Sequence, residues 1–214
     1  MIVTRQDIEQ MEKVFRLNLV NSITGVKPAN LIATHSKSSG SNVAIFSSVV
    51  HLGSNPPLIG FVMRPAGDVA RHTLNNIEET GFYTINHVNS SFVESAHFTS
   101  ASFDLGVSEF SACGLKELWV DSFPAPFVEQ SRVRIGMAHK DSIPVSLNDT
   151  QLVIGEVQTI QLPDEVVDAN GQCDLSKSGS MGISGLNRYY DLSFSEEHPY
   201  ARVHELPESL RNNA

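Results

Sequence analysis

Three short segments of this 214-residue chain carry the residues best suited to chemistry. In Ser41-Asn42-Val43-Ala44-Ile45-Phe46-Ser47-Ser48, an apolar run has a carboxamide at its entry and two hydroxyls at its end. Asn55-Pro56-Pro57-Leu58-Ile59-Gly60-Phe61 opens a second apolar run with paired prolines, and that run ends at Arg64. Arg71-His72-Thr73-Leu74-Asn75-Asn76-Ile77 puts a cation, an imidazole and a hydroxyl where a helix begins. A helix N-terminus presents free N–H groups and partial positive charge, so this third set is of a kind that receives an anion. These groups bind and orient a ligand; no residue among them stands out as nucleophile, general acid or general base.

Each group also has a plain structural reading. Ser47 and Ser48 are hydroxyls that a strand ladder satisfies. Thr73 is a common helix cap. Arg71 and His72 suit a solvated face, and Asn42 suits a turn.

Dedicated chemistries fail on spacing. Gly179, Gly182 and Gly185 recur every three residues, but no strand is read before them, so they make no dinucleotide fingerprint. There is no G-x-x-x-x-G-K and no G-x-S-x-G elbow. The eight histidines are scattered without the i, i+4 pair of a zinc helix, and no metal is expected. The formal charge of −9, with only 15 Lys and Arg, speaks against a nucleic-acid surface. No 18-residue apolar run suggests a membrane span. The first residues lack the basic-then-apolar layout of a signal peptide. Cys113 and Cys173 make no disulfide framework. A cytoplasmic protein is expected.

The positioning elements follow from period and punctuation. Thr4 caps a helix over about residues 5–16, where Ile8, Met11, Val14 and Phe15 repeat at helical spacing. The runs 29–34 and 42–50, joined by Lys37-Ser38-Ser39-Gly40-Ser41, read as a hairpin. Residues 58–63 read as a buried strand. A helix capped by Asp68 or Thr73 runs to about Thr80 and stops at Gly81. Strands are expected at 82–88, 128–138 and 151–162, with Gly155 marking a bulge or close approach. Short helices are expected at 92–100 and 108–113. Phe61, Phe82, Tyr83 and Trp119 read as core or interface, and Glu78-Glu79 as a charged helix face. Tyr189-Tyr190 reads either as a cover for a ligand or as packing at a subunit seam. One domain spans 1–214, with a helical arm at 1–20 and a loop-rich segment at 163–214. Six or seven strands, arriving consecutively at the front, favour a mainly β, mostly antiparallel sheet or barrel with helical insertions.

In order and spacing, the three opening segments resemble the flavin reductase-like family, the FMN-binding split β-barrels. The resemblance spans about residues 20–112 and runs more weakly to about 205. Ser108-Glu109-Phe110 with Gly114-Leu115 resembles the family's acidic-aromatic helix, Gly155-Glu156-Val157 its late strand, and Gly185-Leu186-Asn187-Arg188-Tyr189-Tyr190 the segment ending its barrel. The resemblance implies a Greek-key-like split barrel that binds FMN, takes hydride from NADH or NADPH, and forms a homodimer with FMN near the interface. It implies that Asn42, Val43, Ala44, Ile45 and Phe46 meet the flavin ring along a strand edge. Ser47 and Ser48 then reach ribityl or phosphate oxygens, and Arg64, Arg71, His72 and Thr73 serve the phosphate. Asn76 reaches the phosphate or helps cap the helix. Two other readings stay open: an FMN-bound electron carrier serving a redox partner protein, and a split-barrel binding module without flavin. Two departures stand out. The family's Asp-Thr pair before the helix is His72-Thr73 here, a change favourable beside a phosphate. The region Arg132–Ser142, which in the family shapes the substrate side, lacks the expected pattern.

Overall fold

The computed structural model describes residues 1–65, 72–103, 107–120 and 123–211. Its N-terminal arm is two helices, α1 (Arg5–Gln10) and α2 (Lys13–Ser22), where the periodicity predicts one. Thr4 and Asp7 form a reciprocal capping box at α1. Met11 turns extended, and the Glu12 carboxylate then accepts from the Val14 and Phe15 N–H groups to start α2. Hydrophobic spacing does not register such a break, because a new cap replaces the interrupted backbone bonds.

The remaining elements in chain order are β1 (Lys27–Pro28), β2 (Asn30–Ser36), β3 (Gly40–Phe46), β4 (Val50–Ser54), β5 (Pro57–Met63), α3 (His72–Thr80), β6 (Phe82–His87), α4 (Val93–Phe98), α5 (Glu109–Ala112), β7 (Glu117–Leu118), β8 (Phe127–Val128), β9 (Arg134–Val145), β10 (Thr150–Gln161), α6 (Leu175–Ser178), β11 (Met181–Ser184), β12 (Arg188–Asp191) and α7 (Glu208–Arg211). Seven strands make one antiparallel sheet in the order β3-β2-β6-β9-β10-β5-β4. The predicted β2–β3 hairpin forms, with Ser36 opposite Gly40. Gly81 ends α3 at φ +74°, a conformation that costs glycine little.

The run 42–50 divides in two. β3 stops at Phe46, and β4 begins at Val50 and pairs with β5 across the Asn55-Pro56 turn. Ser48 is the reason the chain turns there. Its hydroxyl accepts from the Val62 N–H and donates to the Val62 carbonyl, both at 3.1 Å, and so holds the β3–β4 connection against β5. Residues 181–184 and 188–191, inside the segment read as loop, form a small sheet with β1.

The sheet curls. Ile32 of β2, Phe61 and Met63 of β5, Tyr83 and Ile85 of β6, Met137 of β9 and Val153 of β10 share one buried cluster with Ile77 of α3. Phe46 meets Phe61 edge to face at 5.0 Å, and Phe61 meets Tyr83 at 5.6 Å. A second cluster covers the other face: Leu31, Ala33 and Val43 pack with Phe92 and Ala96, with Phe110 of α5, and with Ile183 of β11. β2 is therefore buried on both faces, which accounts for its unbroken apolar run. Phe61 and Tyr83 are core residues as expected; Trp119, 48% exposed, is outside the core of a single chain, which leaves the interface reading, and donates to Glu117. Glu79 is more than a solvated charge: it accepts from Ser36 Oγ at 2.7 Å and ties α3 to the hairpin turn. Among the described residues no helix is long and apolar enough to cross a membrane.

Gly155 sits at a register shift between β10 and β9. A Cβ there collides with Tyr83 Oη and comes within 2.9 Å of Cζ. The Tyr83 hydroxyl is buried with no hydrogen-bond partner among the described residues. Gly155→Ala is expected to cost about 1–3 kcal/mol, the scale of overpacking. Adding Tyr83→Phe should recover part of that, because it removes the colliding oxygen. Urea unfolding of both variants checks this; an equal cost with and without Tyr83→Phe would remove the assignment.

Candidate functional site

Where the end of β3 leaves the sheet, a cavity of about 860 Å³ opens between β3, the start of α3, α2, α4 and the β11–β12 turn. Its size lies in the range of small-molecule and cofactor sites. Of the residues singled out by sequence, Asn42, Ala44, Ile45, Phe46, Ser47, Ser48, Arg64, His72 and Thr73 line it. Two lie behind the wall. The Val43 side chain is fully buried in the outer core, so it can offer a ligand only its backbone. Asn76 is buried one turn into α3 and donates to Thr34 Oγ1 at 3.1 Å, so its carboxamide braces α3 on β2. Ser48 is committed in part to Val62. Arg71 and Asp68 lie outside the described residues. Arg64 is exposed at the end of β5.

The link between strand and helix is polar. Asn42 at the head of β3 and Thr73 in the first turn of α3 lie 3.0 Å apart, Nδ2 or Oδ1 to Oγ1. One amide orientation satisfies every neighbour: Asn42 Oδ1 accepts from Thr73 Oγ1 and the Val43 N–H, while Nδ2 donates to the Glu109 carboxylate at 3.1 and 3.2 Å. Asn42 is thus an anchor, with its carboxamide spent on protein partners. Thr73 shares that role with its place in the cavity wall.

Several wall residues escaped the sequence reading of the site. Glu109 of α5, Lys27 beside α2, His97 of α4 and the stretch Thr99–Phe103 line the cavity. Glu109 was visible only as part of an acidic-aromatic motif, and no spacing rule places α5 against β3. Lys27 Nζ bonds the Asn21 and Gly25 carbonyls and Thr24 Oγ1 at the C-terminal end of α2. No residue of 132–142 lines the cavity. That stretch is spent on β9, where Lys140 pairs with Glu156 of β10 at 2.6 Å. The cavity wall opposite β3 comes from α2, α4 and the β11–β12 turn.

Burial pushes the Glu109 carboxyl above the usual carboxylate range, against the opposing pull of the Val43 N–H and of His72. A raised folded value means the folded chain holds this proton more tightly than the unfolded one. The resulting stability is full below the ordinary carboxylate value and is lost as pH rises through the raised one. Glu109→Gln cannot lose it. The variant should therefore gain stability relative to the parent between about pH 4 and about pH 7. Chemical denaturation at both pH values measures this, and a difference independent of pH would contradict it.

Comparison with known proteins follows the same geometry. The family model described as flavin reductase like domain matches residues 26–175, more than two-thirds of the chain. A split-barrel-domain protein of Shewanella frigidimarina NCIMB 400, assigned to the flavin reductases, is 41% identical at a TM-score of 0.90, covering 94% of this chain and 100% of that one. Nitrilotriacetate monooxygenase component B of Bacillus cereus has a TM-score of 0.79 at 18% identity, covering 92% and 98%. The flavoredoxin of Desulfovibrio vulgaris (Miyazaki F) has a TM-score of 0.70 at 21% identity, covering 82% and 92%. The last two likenesses speak to fold alone. The curled antiparallel sheet, the cavity at its split edge and the matched span agree: this chain is a split β-barrel and belongs to the flavin reductase-like domain family.

Proposed function

We propose that the cavity binds FMN and that the protein is an NAD(P)H-dependent flavin oxidoreductase. The observation that carries the reading is the pairing of a strand end with a helix start across one cavity. β3 brings Ala44, Ile45 and Phe46 to the wall, and α3 brings His72 and Thr73 at its N-terminus. A nine-residue helix offers N–H groups and partial positive charge to a phosphate. The half-apolar strand suits a flat amphipathic ring. The residues present therefore fit FMN: Thr73, His72, Ser47 and exposed Arg64 on the phosphate and ribityl side, and β3 along the ring. Arg71 is proposed with them on the sequence reading alone.

When bound, the isoalloxazine supplies the hydride and electron chemistry. The chain's own residues bind, orient and shield, and none is assigned as general acid or base. The reading includes one domain spanning the chain and a cytoplasmic homodimer with FMN near the subunit seam. In support, α2 buries none of its residues in one copy and exposes Val14, Phe15, Leu17 and Val20, while Val20 and Asn21 line the cavity. Cys113 and Cys173 are free thiols.

Quenching of flavin fluorescence should give a measurable Kd for FMN, and Ser47→Ala, which removes a hydroxyl not given to any protein partner among the described residues, should raise that Kd about fivefold or more, the scale of one hydrogen bond to a charged group. Arg64→Ala should make binding less sensitive to salt. A colourless protein that quenches no FMN would overturn the flavin assignment and leave the binding-module reading. Steady-state oxidation of NADH or NADPH by the FMN-loaded protein is expected as well. Tight FMN without turnover of either would leave the electron carrier, with a redox partner protein as its source of electrons.

A further inference from the structure

His97 has two ring nitrogens with different surroundings. Nδ1 lies 3.1 Å from Tyr189 Oη, and the two rings meet edge to face at 5.8 Å. Nε2 has no hydrogen-bond partner among the described residues, and His97 is a lining residue of the cavity, as are Thr99, Ser100, Phe103, Ile183 and Leu186. Tyr189 is held from behind. It lies on β12 directly across from Ile183 of β11 and packs against the outer core cluster.

Burial pushes the Tyr189 phenol up to about 12, so it keeps its proton at neutral pH. The 3.1 Å contact admits either direction; the direction taken for this pair has the phenol donating to Nδ1. The ring proton then resides on Nε2, because the bond made by one nitrogen sets the state of the other. The outcome is one fixed N–H donor on a cavity-lining residue, on a different element from β3 and α3.

That pattern fits a flat ring bearing a single acceptor. We propose that His97 is the binding residue for the nicotinamide carboxamide of the hydride donor, donating from Nε2 to its carbonyl oxygen, and that Tyr189 is its positioning residue. The inference rests on the NAD(P)H-dependent reading above and adds the two residues that place the donor's ring. It also gives Tyr189 a role in the cavity, through His97, without placing it over the ligand.

Two measurements on the full-length protein test it. The first needs no cofactor: ¹⁵N NMR of the ring nitrogens, with the His97 signals assigned by their loss in His97→Gln. A neutral ring protonated on Nε2 is expected, and Tyr189→Phe should shift it towards a mixture of tautomers. An Nδ1-protonated ring in the parent protein, or no response to Tyr189→Phe, would overturn the positioning role. The second is steady-state kinetics with FMN saturating. His97→Ala should raise KM for the nicotinamide donor about fivefold, the scale of one lost hydrogen bond. His97→Gln, which restores a donor near the Nε2 position, should recover part of the loss, and Tyr189→Phe should raise KM by less than His97→Ala. The FMN Kd should change less than twofold in all three. An unchanged KM in His97→Ala would overturn the proposal while leaving the oxidoreductase reading intact. Absence of turnover in the unsubstituted protein would overturn that reading and the nicotinamide role with it, and the tautomer measurement would still decide the Tyr189–His97 pair.

Discussion

Phe46 and Phe61 belong to strands separated by four others in the sheet order, yet their rings meet at 5.0 Å, with Tyr83 closing the stack behind Phe61. The contact requires the sheet to curl until β3 faces β5. Ser48 then spans the remaining gap through both backbone groups of Val62. β3 and β4, the two edges, stay unpaired with one another, and the cavity lies where that closure is incomplete. Burying these aromatics closes the barrel, and the edge left over becomes a wall that a ligand can meet.

The same economy governs the polar groups. Asn42, Thr73, Asn76 and Thr34 link the β2–β3 hairpin to α3 through side-chain hydrogen bonds. Buried carboxamides and hydroxyls need such partners, and meeting that need fixes the helix start against the strand. The donors proposed for the phosphate are thus held by groups that do not touch it. Glu109 is the exception in sign. An acid at the wall of a cavity read as an anion site is tolerable because its carboxylate is taken up by the Asn42 amide and faces His72.

Much of the local structure was legible. Thr4 with Asp7 marked a helix start, Gly81 a helix stop, and the serine-rich turn a hairpin, because caps and turns depend on neighbouring residues. Gly155 was legible as a bulge or close approach, although the partner, Tyr83, was not. The breaks at Met11 and at Ser47–Val49 were not legible, since Glu12 and Ser48 act there through hydrogen bonds that hydrophobic period does not encode. The strands at 181–184 and 188–191 were missed because four-residue strands completed by distant β1 leave almost no pattern of their own.

For the site, residue types and their order in the chain were enough to name the strand, the helix start and the ligand class they resemble. Those are properties of short segments, set by side-chain chemistry and local backbone geometry. Folding decided which named residues face the cavity and which stand behind it, as Val43 and Asn76 do. Folding alone brought in Glu109, Lys27 and His97. Each of these lies on another element, and only long-range packing, of α5 and α4 against β3 and of β1 against β11, sets those distances.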